Sequence, residues 1–311
     1  MSNADTKLNS NARIALVTGA TGFVGGHLVS RLVREGWQVH IVVREGSHLP
    51  VTPEFSQVTA HTHDGTTGGM ICIVGCARPN VVFHLASLFL SQHESKDVES
   101  LVLSNVLFGS QLLEAMRVSG INQIINTGTS WQHYNNQNYN PVCLYAATKR
   151  AFEDILAYYT EATSIKAISL HLYDTYGPND PRPKLFYLLD KTAKSQEVLA
   201  MSPGEQLIDL VYIDDVIDAY LYAINELPVL AVNHQVYAVS SGNPLPLRKL
   251  VSIYEKIYGV NLPIDWGKRE YRPREVMQPW SCGDLLPNWK PKIELEKGIA
   301  ATKNWNMGNE S

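Results

Sequence analysis

The chain of 311 residues is 45% hydrophobic and 18% charged, with a formal net charge of −4. That composition provides a substantial core for one large domain or two modest ones. It excludes the basic face of a general nucleic-acid binder, and no apolar run reaches the ~18 residues that a membrane span requires.

Met1 to Ala12 is polar, lacks an apolar signal core and reads as a tail ahead of the first strand, in keeping with a cytoplasmic location. Residues 13–18 predict a short buried strand, and residues 23–35 have helical spacing that Gly36 ends. Further strands are expected over 38–43, 57–61 and 81–85. A long helical pattern over 98–118 leads to a fifth strand at 121–126. The helix carrying Tyr145 and Lys149 follows, and then a sixth strand at 166–171. Strands alternating with helices imply an α/β fold, a doubly wound parallel Rossmann sheet covered on both faces. From Gly177-Pro178-Asn179-Asp180-Pro181-Arg182-Pro183 onward the segments are shorter and richer in turn formers. The expected division is a dinucleotide-binding domain over 12–175 and a smaller C-terminal substrate-binding cap over 176–311, some of whose segments return to the sheet. Cys72, Cys76, Cys143 and Cys282 show no metal-ligand spacing with histidine, so no metal is expected. Cys72 and Cys76, inside an apolar stretch, read as buried thiols.

Gly19, Gly22 and Gly25 stand at the first strand-to-helix turn, where glycine permits a tight backbone and close approach to a pyrophosphate. An acidic residue at the end of the second strand would bind a ribose 2′-hydroxyl. Arg44 stands there instead, and a guanidinium suits a 2′-phosphate, so NADPH is favoured, with NADH possible. The alternative is a solvated arginine with Glu45 in the acidic role. Asp64, after the third strand, is within reach of an adenine amino group. The neighbouring His61 and His63 read as a polar loop.

Tyr145 and Lys149, four residues apart, lie on one helix face. An ammonium there stabilises a phenolate and is expected to lower a pKa of about 10, fitting the phenol for proton exchange with a carbonyl or hydroxyl.

With Thr18-Gly19-x-x-Gly22-x-x-Gly25 and Tyr145-x-x-x-Lys149 go Phe83-His84-Leu85-Ala86, Tyr176-Gly177-Pro178 and Val211-Tyr212-Ile213-Asp214-Asp215-Val216. Together they resemble the extended short-chain dehydrogenase/reductase (NAD-dependent epimerase/dehydratase) family, whose members modify nucleotide-activated sugars. The resemblance implies cofactor contacts at Gly19, Thr21, Gly22, Phe23, Val24, Leu85, Ala86, Tyr145 and Lys149. It makes Tyr145 the acid/base, Lys149 its partner on the nicotinamide ribose, and Thr129 the hydrogen-bond donor to the reacting oxygen, with Ser130 an adjacent alternative. Asn105 matches a position near the active site, or is a helix-buried amide satisfied by backbone.

Dehydratases of this family place an Asp-Glu pair after the active-site Thr; here the pair is Ser130-Trp131. Residues 127–134 and 203–209 are similar to the reductases that finish deoxysugars, of the CDP-abequose synthase kind. The resemblance therefore implies reduction of the C4 ketone of a nucleotide-linked 4-keto-6-deoxyhexose, or its 3,6-dideoxy counterpart, in deoxysugar and O-antigen polysaccharide synthesis. The alternatives are an NAD-dependent epimerase and, from another class, a non-catalytic NADP-binding sensor or scaffold. On the substrate side it points to Ser130, Trp131, Asp174 (asparagine in many relatives), Arg182 and Arg274, the last on the diphosphate. His133 and Tyr134 either line the sugar pocket or pack within their loop. A homodimer through a four-helix bundle is also implied.

Overall fold

The computed structural model describes residues 13–309, so the tail read over Met1 to Ala12 lies outside the described residues. The first part of the chain runs β1 (Ile14–Thr18), α1 (Phe23–Arg34), β2 (Gln38–Arg44), β3 (Thr59–His63), α2 (Thr67–Ala77) and β4 (Val81–His84). It continues through α3 (Val98–Val102), α4 (Phe108–Ser119), β5 (Gln123–Thr129), α5 (Leu144–Ala162) and β6 (Lys166–Leu172). After it come β7 (Asp174–Tyr176), α6 (Leu185–Ser195), β8 (Leu199–Met201), β9 (Leu207–Ile208) and β10 (Leu210–Tyr212). The chain closes with α7 (Ile213–Glu226), β11 (His234–Val239), β12 (Leu245–Pro246), α8 (Leu247–Tyr258), β13 (Ile264–Trp266) and α9 (Leu295–Asn309).

Seven strands form one parallel sheet in the order β11-β6-β5-β4-β1-β2-β3. Strand side chains alternate between faces, and the core divides accordingly. Ala15, Val17 and Phe83 pack with Leu28 and Leu32 of α1 and Val216 and Tyr220 of α7. Leu16 and Val82 pack on the opposite face with Met70 and Val74 of α2, Leu112 and Met116 of α4, and Phe152 of α5. This is the doubly wound α/β sheet that the strand–helix alternation implies. The chain order reverses beside β1, between β2 and β4, so the carboxyl ends of β1, β4 and β5 open a crevice there.

Two features depart from the sequence reading. The stretch containing Cys72 and Cys76 is a helix, α2, and both thiols are exposed on its outer side while Met70, Ile73, Val74 and Ala77 face the core. Its residues are apolar all round, so periodicity could not mark a buried face. The helical run after residue 98 is interrupted by a π-helical segment, Leu103–Leu107, that turns Asn105 inward. Strand β11, within the 176–311 stretch from which some segments are expected to return to the sheet, pairs with β6 at its edge. The remaining late strands form three two-stranded pairs, β10 with β7, β12 with β9 and β13 with β8.

Candidate active site

The turn between β1 and α1 is closed by a hydrogen bond from the Gly22 amide to the Gly19 carbonyl, 3.0 Å. Gly19 has φ +72°, and a Cβ there would lie 2.6 Å from the Ala86 amide nitrogen. A Cβ on Gly25 would lie 2.1 Å from the Gly19 carbonyl oxygen, so helix and turn touch backbone to backbone. Gly22 caps α1 without a side-chain bond, leaving the first-turn amides facing the crevice. A helix N-terminus of this kind favours anions through its free N–H groups and its dipole. The cradle fits the pyrophosphate of a dinucleotide. Phe23, Val24 and Leu85 line the adjoining cavity. Thr21 is exposed at the tip of the turn, and the Ala86 amide donates to Thr18 Oγ1 at 3.1 Å, tying β4 to β1.

Arg44 ends β2, exposed and level with His63 on β3. Asp64 accepts from the amide and hydroxyl of Thr66, both 2.8 Å, so its Oδ1 closes the turn into α2.

Tyr145, Lys149, Thr129 and Ser130 line one cavity of about 210 Å³ together with the glycine turn. The first two project from α5, one helical turn apart; Thr129 ends β5, where its hydroxyl accepts from the Trp131 amide at 3.3 Å. Burial pushes the Tyr145 phenol up to about 12, with Ser87 and Arg182 pulling the other way. The expected lowering by Lys149 is therefore corrected: desolvation, which penalises the phenolate, dominates. Desolvation also brings Lys149 down to about 8, against the carboxylate of Glu153. At neutral pH the phenol keeps its proton and is poised as a donor.

Asn105 accepts from the Leu88 amide (2.7 Å) and the Ser87 hydroxyl (3.2 Å), and donates to the Leu88 carbonyl (3.0 Å) and Thr148 Oγ1 (2.9 Å). It is a buried amide that fixes the segment after β4, and with it Ser87 and Phe89 on the cavity wall. Phe89 meets the Tyr145 ring edge-on at 5.0 Å and Trp131 at 5.7 Å, an apolar wall beside the phenol. Asp174 is the carboxylate among the residues lining this cavity, and Lys184 lies 3.6 Å from it.

A second cavity of about 380 Å³ shares Phe89, Trp131, Asp174, Arg182 and Lys184 with the first and extends over α6 to Tyr187 and Asp190. Arg182 is held by Asp180 at 2.6 Å over the Phe23 ring. Here the structure differs from the sequence reading: Arg272, rather than Arg274, lines this cavity, lying over Trp131 and paired with Glu275. Arg274 instead lies over Tyr134 and bonds to Asn140. The two arginines are two positions apart in an irregular loop, where no periodicity assigns a direction.

His133 and Tyr134 face a smaller cavity of about 150 Å³ bordered by Trp280. His133 stacks on Trp280 at 3.8 Å and bonds to His171. Ser87, Phe89 and Glu153 escaped the sequence reading. Phe89 and Ser87 lie in a loop without a motif, and Glu153 is one helical turn beyond Lys149, a spacing that could have drawn notice.

Residues 15–238 match the model of the NAD dependent epimerase/dehydratase family. CDP-abequose synthase of Salmonella typhimurium is 26% identical over 298 residues, spanning 91% of this chain and 95% of that protein. A putative UDP-glucose 4-epimerase of Methanocaldococcus jannaschii is 26% identical over 313 residues, spanning 94% and 98%. The solved structure of a UDP-glucose 4-epimerase with UDP-glucose from Thermotoga maritima shares the fold, with a TM-score of 0.83 at 22% identity over 96% of this chain and 99% of that one. The match spans the glycine turn, the Tyr145–Lys149 helix and the sheet out to β11, and on it the chain belongs to the NAD dependent epimerase/dehydratase family, the extended short-chain dehydrogenases/reductases.

Proposed function

We propose that this protein reduces the C4 ketone of a nucleotide-linked 4-keto-6-deoxyhexose, or its 3,6-dideoxy counterpart, using NADPH. The observation that carries the reading is the apolar wall of Phe89 and Trp131 beside a protonated Tyr145. An aromatic face suits a methyl group at C6, and Ser130-Trp131 stands where a dehydratase would carry its carboxylates. CDP-abequose synthases from Salmonella and Yersinia are among the similar proteins.

NADPH, held by the Gly19–Gly25 cradle, Phe23, Val24 and Leu85, with Arg44 at its 2′-phosphate, supplies the hydride when bound. Tyr145 gives the proton on its Oη to the oxygen growing anionic at C4, and the Thr129 hydroxyl donates to the same oxygen. Lys149, as the ammonium, offsets the charge left on Tyr145. Asp174 faces the sugar, while Arg182, Lys184 and Arg272 face the diphosphate. Each of these cations is already paired with a carboxylate, so the diphosphate exchanges one anionic partner for another.

The test is a panel of CDP-, GDP- and dTDP-linked 4-keto-6-deoxy sugars with NADPH or NADH, followed by nicotinamide absorbance. Oxidation with one nucleotide series supports the reading and identifies the base. A second reading, an NAD-retaining 4-epimerase, is favoured by the epimerases among the similar proteins. NAD remaining bound through purification, with no net oxidation of added NADPH, would establish it instead.

Exposed Val98, Val102, Leu103 and Leu107, with Val118 and Tyr158 nearby in the fold, support a homodimer through the helices after β4 and α5. Light scattering of the purified protein checks the mass. Among the described residues no helix is long and apolar enough to cross a membrane.

A further inference from the structure

Beneath the floor of the inner cavity lies a row of buried polar groups that the proposed reaction does not use. Glu153, His171 and His133 are 4%, 1% and 8% exposed. Glu153 Oε1 lies 2.7 Å from His171 Nε2, His171 Nδ1 lies 2.9 Å from His133 Nε2, and His133 Nδ1 lies 3.1 Å from the Gln137 carbonyl oxygen. The row thus has three links in line, with an acceptor at each end. Two neutral imidazoles bring only two N–H groups between them. A third proton is needed to make every link, and without it one link sets two lone pairs against each other in a dry interior.

The extra proton also gives the buried Glu153 carboxylate a cationic hydrogen-bond partner in direct contact. Beside the carboxylate, His171 is the ring best placed to hold both protons. Other groups face the row from every element packed on it: Lys149 and Arg150 of α5, and His234 of β11 by way of Ser169. Trp280 covers His133 from the cap side. The row lies against the backbone of β5, since a Cβ on Gly128 would come within 2.3 Å of the His171 ring and 3.0 Å of Glu153 Oε1.

Two connections lead from the row to the site. Gln132 Nε2 donates to Glu153 Oε2 at 2.7 Å, which fixes the amide so that Gln132 Oε1 accepts from the Thr129 amide at 3.0 Å. Glu153 also follows Lys149 by one helical turn, so its charge favours the ammonium. We propose that Glu153, His171 and His133 hold one shared extra proton under the active-site floor, and that this neutral row is the positioning unit for Thr129 and Lys149. Its members are positioning residues, and the kinetic part of the proposal rests on the roles given above to Thr129 and Lys149.

The experiment is imidazole NMR of the full chain labelled with 15N-histidine, assigned through His133→Gln and His171→Gln. At pH 7 the two rings are expected to show three N–H protons, with both nitrogens of one ring protonated, and Glu153→Gln should reduce the count to two. In the kinetic arm, Gln132→Met should keep all three protons yet lower kcat about tenfold, a fraction of the ~10²–10³ that a lost oxyanion donor costs, with the Kd for NADPH little changed. Two neutral rings in the wild type would overturn the shared proton. Unchanged kcat in Gln132→Met would overturn the positioning role. The proton count needs no substrate, so it stands or falls separately from the proposed reaction.

Discussion

Gly25 and Gly26 are neighbours on the first turn of α1, and the structure predicts opposite outcomes when each becomes alanine. A Cβ on Gly25 would lie 2.1 Å from the Gly19 carbonyl oxygen, more than 1 Å short of the 3.4 Å at which ordinary contact begins, and 2.8 Å from the Gly19 carbonyl carbon. Both obstacles are backbone, and the same carbonyl accepts from Gly22 to close the turn. Relief requires the helix to lift off or the turn to open. Overpacking of this kind costs about 1–3 kcal/mol, which at ~2–4 °C per kcal/mol gives a fall in Tm on the order of 5 °C. The glycine turn moves with it, so nicotinamide dinucleotide affinity, read with NADPH under the proposed function, should fall at least tenfold. On Gly26 the nearest atom is the Ala20 carbonyl oxygen at 3.6 Å, an ordinary contact. Gly26→Ala should therefore be neutral, or stabilising by up to about 1 kcal/mol through helix propensity. Thermal unfolding and fluorescence titration with NADPH on both variants provide the assay. Wild-type affinity and Tm in Gly25→Ala, or a Gly26→Ala variant as damaged as its neighbour, would refute the backbone-contact account.

Tyr145→Phe should lower kcat by ~10²–10⁴, the range for losing a positioned proton donor, while NADPH binding measured by fluorescence stays within about threefold. Full turnover would remove Tyr145 from the mechanism. Arg44→Glu should reverse a preference for NADPH over NADH in kcat/KM, and an unchanged ratio would detach Arg44 from the 2′-phosphate. Lys149 is brought down from 10.5 to about 8, so between those values the unfolded chain binds the extra proton and wild-type stability rises with pH. Lys149→Met should accordingly be more stable than wild type at pH 7, by about 3 kcal/mol at most, with the difference closing towards pH 10.5. Parallel denaturation curves across that window would contradict the burial of the ammonium.

Much of the fold is legible in the chain. Residues 14–18, 38–44, 81–84, 123–129 and 166–172 are strands close to where apolar runs and turn signals place them, because strands covered on both faces are mostly apolar, even though Asn126, Ser169 and His171 interrupt the runs of β5 and β6. Tyr145 and Lys149 share a helix face by spacing alone, and the glycine turn falls between its strand and helix. These are local properties, fixed by helical pitch and by which residues tolerate a given backbone.

Other features were decided by tertiary contact. Cys72 and Cys76 point outward because α2 packs through Met70, Ile73 and Val74, a choice among apolar faces that α4 and the sheet make. The rise in the Tyr145 phenol's proton affinity comes from burial in the folded chain, which outweighs the opposing pull of Ser87 and Arg182. Arg272 rather than Arg274 reaches the cavity because the loop's path is set by Glu275, Trp131 and Asn140. Glu153, His171 and His133 meet only when β6 and the loop after β5 fold against α5. The sequence determines periodicity and local backbone. Direction, burial and proton count depend on which distant neighbour arrives, and only the folded chain settles that.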